Sequence, residues 1–294
     1  MKHRKENSMT KKLFHIFIFV LLGALAISIV VPIAWVFMAS IKKNSEFYGN
    51  PWALPKGIYF QNFIEAFQTA KMGDYMMNSV IAAVVALLIL LVVALPAAYV
   101  LARYRFKGSK LLNTLFMGGL FINMNYIVVP IFLMLVNADK WLKTVIGSGM
   151  FLNNIFVLAL VYASTALPFT IYLLSGFFVT IPKDYEEAAF MDGSGYFRTM
   201  CMIMMPMARP SIITVILFNF LSFWNEYILS LTLLTKVDKT LPVGLMQLMQ
   251  AQQAAANYGQ LYAGLVLVML PTLILYIAVQ RKLTQGMSMG GLKG

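Results

Sequence analysis

Apolar residues gather into long runs separated by short polar and basic stretches, and six of these runs are long enough to cross a bilayer. The hydrocarbon core is about 30 Å thick, so a helix needs roughly 20 mostly apolar residues to span it. The runs cover 13–41, 75–102, 111–136, 151–179, 210–234 and 259–280. Backbone polar groups find no water in lipid, so each run is expected to be helical. The expected architecture is therefore an all-α, polytopic membrane protein with six transmembrane helices. The third and fourth runs carry the most polar interruptions, among them Asn123, Asn125, Ser164 and Thr165. Pro32, Pro96, Pro130, Pro168 and Pro271 each fall inside a run. Proline removes a backbone hydrogen bond and bends a helix, which leaves either ordinary kinks or a bundle shaped around a cavity.

Composition agrees with lipid as the main solvent. Sixty per cent of the 294 residues are hydrophobic, 12% are charged, and the mean hydropathy is +0.77. Soluble domains are about 25% charged, so an ordinary water-soluble enzyme and a disordered chain are both excluded. The formal net charge of +12 lies between the apolar runs. There it reads as membrane topology and headgroup contact, not as nucleic-acid binding. Lys and Arg number fifteen in 1–12, 103–110, 180–209 and 281–294, against eight in 42–74, 137–150 and 235–258. The positive-inside rule then places both termini in the cytoplasm. The expected organisation is a cytoplasmic tail (1–12), a six-helix domain (13–280) with an inside loop (180–209), and a second cytoplasmic tail (281–294). The outside segment 42–74 holds Pro51, Trp52 and Pro55 and is long enough for a small lid. Within it, 59–67 reads as a short amphipathic helix on the outer surface. The single cysteine, Cys201, excludes an intramolecular disulfide and a multi-thiolate metal site.

Polar residues inside the runs are candidates for a pathway or gate. Glu226 is the only acid well inside a run, and an intramembrane ionisable residue is by default a functional candidate. Asn225 adjoins it, and Asn219 and Ser222 precede it by one or two turns, so a shared helix face is expected for Asn219, Ser222 and Glu226. The blander alternative is that Glu226 reaches interfacial water. Asn123 and Asn125 are further pathway candidates, with interhelical hydrogen bonding as the alternative. Trp35, Trp52 and Trp141 lie near expected outer edges, where aromatic belts form. No catalytic constellation is found: His3 and His15 both lie near the N-terminus, and no His-Glu-x-x-His occurs. The phosphate-cradling G-x-x-x-x-G-K-[ST] is also missing, so any ATP hydrolysis belongs to another polypeptide.

The loop 181–206 has its own design. Pro182 suits a first helical turn, and Asp184, Glu186 and Glu187 favour the positive end of a helix. Ala188 and Ala189 are strong helix formers, and Gly193 can stop the helix and turn the chain. A second amphipathic segment comes next, with Phe197, Met200, Ile203 and Met204 on one side, up to Pro206. The expected product is a helix–turn–helix elbow on the cytoplasmic face.

The pattern Glu187-Ala188-Ala189, Gly193, Ile203 and Met205-Pro206 resembles the EAA loop of binding-protein-dependent ABC importer permeases. The family usually has Leu where Met205 stands, a swap that keeps volume and apolarity. The segment 223–227, with Trp224, Asn225 and Glu226, resembles a segment of the carbohydrate-importer permeases, the maltose MalG-like subunits in particular. The glycine-rich ending with Gly290, Gly291, Lys293 and Gly294 resembles the tail of those subunits. The resemblance implies a permease that carries a sugar or oligosaccharide by alternating access. Its implied partners are a sister permease, two ATPase subunits and an extracytoplasmic solute-binding protein, in a prokaryotic cell membrane. ATP and Mg would bind on the ATPase subunits, and this chain would hold no cofactor or metal. Glu187, Ala188, Ala189, Gly193, Ile203 and Pro206 would couple to an ATPase, and the tail would reach toward the ATPase dimer. The alternatives are a permease for another small solute such as an amino acid, or an ATP-independent carrier or channel. Carriers usually show several intramembrane charges or inverted repeats, and neither is evident.

Overall fold

The computed structural model describes residues 8–48, 50–236, 239–255 and 257–290. Its elements are helical, with no strand among the described residues. The described residues form two compact units, one within 1–70 and 248–267 and one within 71–247 and 268–294.

In the first unit, helix α1 (Ser8–Ser40) keeps Pro32 inside it. Leu13, Phe17, Val20 and Ile27 are all exposed along its length, as expected of a helix whose surroundings are lipid. Its end is fastened by buried polar groups. The Asn62 amide donates to the carbonyls of Ser40 and Lys42, each at 2.8 Å. Lys42 is itself buried, with Nζ donating to Pro51 O at 2.7 Å. The expected helix at 59–67 is a helical turn, Gln61–Ile64, continued by a wider turn, Glu65–Thr69. It turns Asn62 and Ala66 inward and leaves Phe60, Ile64 and Phe67 exposed. Trp35 packs against Trp52 and Tyr262, and Phe47 against Tyr258 and Tyr262.

The second unit is built on α2 (Met72–Arg103). Ala82, Ala86, Leu90, Ala94 and Ala98 recur every four residues on its buried face. Small residues let helix backbones approach closely in a membrane. Against them lie Leu158, Tyr162, Ile171, Leu174 and Phe178, all buried in the same core. Ser175 Oγ also donates to Ala98 O at 3.2 Å.

The expected third span is two helices, α3 (Ser109–Gly119) and α4 (Met124–Ile146), bent by 106°. A Cβ at Gly119 would come within 2.8 Å of Pro168 Cγ, so glycine is needed where α3 meets α5 (Ile155–Thr180). Ile181, extended as the residue before a proline prefers, ends α5. The next loop contains α6 (Asp184–Met191) and α7 (Tyr196–Met207). A 76° bend leads from α7 into α8 (Arg209–Trp224). The expected fifth span, 210–234, is therefore interrupted: α8 stops at Trp224 and α9 (Ile228–Leu233) resumes after three residues. At 1.5 Å per residue, the 16 residues of α8 fall short of a bilayer core, and the break lies inside the run. Helices α10 (Leu241–Ala255) and α11 (Tyr258–Gly290) complete the chain, with Pro271 inside α11.

Candidate functional site

The elbow forms where expected, with a changed start. Helix α6 begins at Asp184 with Lys183 as its cap, so Pro182 lies outside it and belongs to the extended link. At the other end, Gly193 has φ +77°. Its N–H donates to Phe190 O at 3.0 Å, and the Ser194 N–H donates to Ala189 O at 2.9 Å. This is a Schellman closure, in which glycine takes the left-handed position at little cost. The second arm, α7, contains a wide turn over Met200–Met204. Met200 and Met204 are buried and Ile203 is half-buried, but Phe197 is 75% exposed and leaves the inward face. The helix runs through Pro206, which is exposed, to Met207.

Helix phase decides which residues of the acidic start face inward. Glu186 and Ala189, three apart, are buried, whereas Glu187 and Ala188 are exposed. Glu186 was not singled out by the sequence pattern, yet it is the anchored acid. Its carboxylate accepts from Arg103 Nε at 2.8 Å and from Arg103 Nη2 at 2.5 Å. The Tyr99 hydroxyl donates to its second oxygen at 2.6 Å. The outward surface of the elbow mixes apolar and acidic side chains, with Tyr185, Met191 and Phe197 exposed beside Asp184, Glu187 and Asp192. Exposed large apolar residues gathered on one short element mark an interaction surface.

The membrane candidates do not converge. Asn219 is buried, and its amide donates to Thr170 Oγ1 on α5 at 3.0 Å and to Val215 O at 2.8 Å. Ser222 is exposed. Asn225 is also exposed, and its amide donates to Leu221 O. The expected shared face of Asn219, Ser222 and Glu226 fails because the helix ends at Trp224, before Glu226. Glu226 instead stands at the break and satisfies the start of α9. It accepts from Leu229 N at 2.7 Å and Ser230 N at 3.0 Å, and Tyr162 OH donates to it at 2.7 Å. Asn123 and Asn125 are exposed at the joint of α3 and α4, and Asn123 caps α4 through the Asn125 N–H at 2.9 Å. The Asn123 side chain is thus placed by local capping, and Asn125 contributes its backbone N–H to that cap. Gly290 ends α11, and Gly291, Lys293 and Gly294 lie outside the described residues.

Among the described residues four helices are long and apolar enough to cross a membrane, or up to six if each bent pair is one span. Residues 94–289 match the model of the family described as binding-protein-dependent transport system inner membrane component, and the chain belongs to this family. The diacetylchitobiose uptake system permease protein NgcG of Streptomyces coelicolor is 36% identical over 266 residues, covering 90% of this chain and 84% of its own. The melibiose/raffinose/stachyose import permease protein MelC of Bacillus subtilis is 30% identical, covering 90% of this chain and 91% of its own. The fold is also that of a chain in a bacterial ABC transporter involved in the import of the acidic polysaccharide alginate. That likeness has a TM-score of 0.76 at 23% identity, over 96% of this chain and 98% of the other.

Proposed function

We propose that this chain forms, with a sister permease, the pathway of an ATP-driven importer for a sugar or oligosaccharide. The relatives named for diacetylchitobiose and for melibiose, raffinose and stachyose support the carbohydrate class. In this reading 13–280 is the transmembrane domain, and the tails 1–12 and 281–294 are cytoplasmic. An extracytoplasmic binding protein delivers the solute. Two ATPase subunits carry ATP and Mg, and this chain is a transport subunit without its own ATPase site. The elbow within 180–209 seats in an ATPase, with Glu187 and Ala188 outermost and Ala189, Gly193, Ile203 and Pro206 setting its shape. A carboxylate such as Glu187 suits a charge-assisted bond to a partner arginine. Asn219, Ser222, Asn225, Glu226, Asn123 and Asn125 are assigned to the pathway or its gate as separate positions along it, not as one cluster. Gly290, Gly291, Lys293 and Gly294 are assigned to contact with the ATPase pair. Transport proceeds as ATP and the loaded binding protein shift the populations of two bundle arrangements.

The observation that carries this reading is an elbow anchored on its inner side, with apolar and acidic side chains exposed on its outer side. It is tested by placing cysteine at Ala188, which is exposed, in a Cys201→Ser background. The chain is expressed with its sister permease and ATPase. A crosslink from position 188 to the ATPase whose yield changes with ATP is expected. An assembled complex that never crosslinks there contradicts the reading.

A further inference from the structure

Arg103 ends α2, yet it is spent on groups far along the chain. Two of its nitrogens meet Glu186 on the first arm of the elbow. Its third, Nη1, donates to Ile181 O at 2.8 Å and Phe178 O at 3.3 Å. Those carbonyls close α5, where the last turn of a helix leaves acceptors without intrahelical partners. One guanidinium therefore ties the end of α2, the end of α5 and the elbow together. The side chains of Arg103 and Glu186 are only 4% and 10% exposed. Tyr99, one turn before Arg103, takes the remaining Glu186 oxygen, and the Tyr104 hydroxyl lies 3.2 Å from that of Tyr99. The second arm is held by rings. Tyr104 meets Tyr196 edge to face at 5.8 Å, and Tyr196 meets Phe190 of the first arm at 5.0 Å.

We propose that Arg103 and Glu186 are positioning residues that make the elbow and the ends of α2 and α5 one rigid joint, so that a push on the elbow moves the bundle. This rests on the reading of the elbow as the ATPase contact. The guanidinium fork is what the joint requires. A lysine keeps the charge but offers a single nitrogen, which cannot reach a carboxylate and two helix-end carbonyls in that fixed geometry. Removing the Glu186 charge weakens the hold of the first arm on the fork, while the bonds to the end of α5 stay. The elbow then still presents Glu187 and Ala188 outward, but its motion is no longer passed on in full.

The test uses the complete transporter in proteoliposomes, with sister permease, ATPase and binding protein, in the Ala188→Cys, Cys201→Ser background. Arg103→Lys and Glu186→Gln are compared with the otherwise unaltered chain. Assembly is read by co-purification, docking by the position-188 crosslink, and transmission by solute moved per ATP hydrolysed. Assembly and crosslink yield are expected to hold in both variants while solute moved per ATP falls about tenfold, a size typical of a coupling free energy. The proposal is overturned if that ratio stays within about twofold of the unaltered chain. It is equally overturned if assembly and docking fall in step with transport, which is the signature of a merely structural pair. Loss of the crosslink in the unaltered chain would instead remove the coupling reading, and this proposal with it.

Discussion

Glu186 and Glu226 are both acids drawn into apolar surroundings, and they are satisfied by different kinds of donor. Glu186 is given a cation, and that cation belongs to another helix. Glu226 is given two backbone N–H groups at the start of its own next helix, plus one tyrosine hydroxyl from α5. A buried carboxylate costs several kcal/mol unless its lone pairs are met, a demand that falls in full on buried Glu186 and less on half-buried Glu226. Their consequences differ. The first fastens separate elements and leaves the elbow free only to move with them. The second lets a membrane helix stop and restart without exposing its N-terminal N–H groups to lipid.

The contrast can be broken most forcefully at Glu186. Glu186→Ala strands the Arg103 guanidinium in a buried site and is expected to cost about 3–5 kcal/mol. It is read as a lowered midpoint of thermal unfolding in detergent. Glu226→Ala removes a cap and is expected to cost about 1–2 kcal/mol. Tyr162→Phe removes only the strut to α5 and is expected to cost about 1 kcal/mol. An effect of Glu226→Ala as large as that of Glu186→Ala would erase the distinction between joint and cap. Glu46 supplies the weakest case. The Lys56 N–H first, then the Lys43 N–H and the nearby lysine charges, hold its carboxyl below the ordinary value of 4.5. A carboxyl lowered on folding stabilises the fold above its unfolded value, and that contribution is lost as pH falls through the folded value. The unfolding midpoint is therefore expected to drop less steeply in Glu46→Gln than in the unaltered chain as pH falls below about 4.5. Parallel curves would show that these contacts contribute nothing.

Hydrophobic runs made the helices legible, because lipid leaves a spanning backbone few alternatives. The same averaging hid the breaks. The run 111–136 is interrupted at the joint by Gly118, Gly119, Asn123 and Asn125, but these are too few to lower its average below that of a span. In 210–234 the polar pair Asn225 and Glu226 looked like a functional face on a continuous helix, whereas the helix ends at Trp224 and Glu226 turns to cap α9. The elbow was readable down to its Gly193 turn because local rules fix it. Its anchor was not, since Arg103 and Glu186 are 83 residues apart. A base ending an apolar helix and a double acid opening another were the only marks. Which acid turns inward is set by the i, i+3 relation of Glu186 to buried Ala189.

The central claim, that this permease moves a sugar at the expense of ATP hydrolysed elsewhere, is tested most directly by uptake. The reconstituted complex is given a labelled oligosaccharide and its binding protein outside, with ATP on the ATPase side. Accumulation that requires both ATP and the binding protein is expected. Equal uptake with either one left out would contradict the account and identify a carrier or channel.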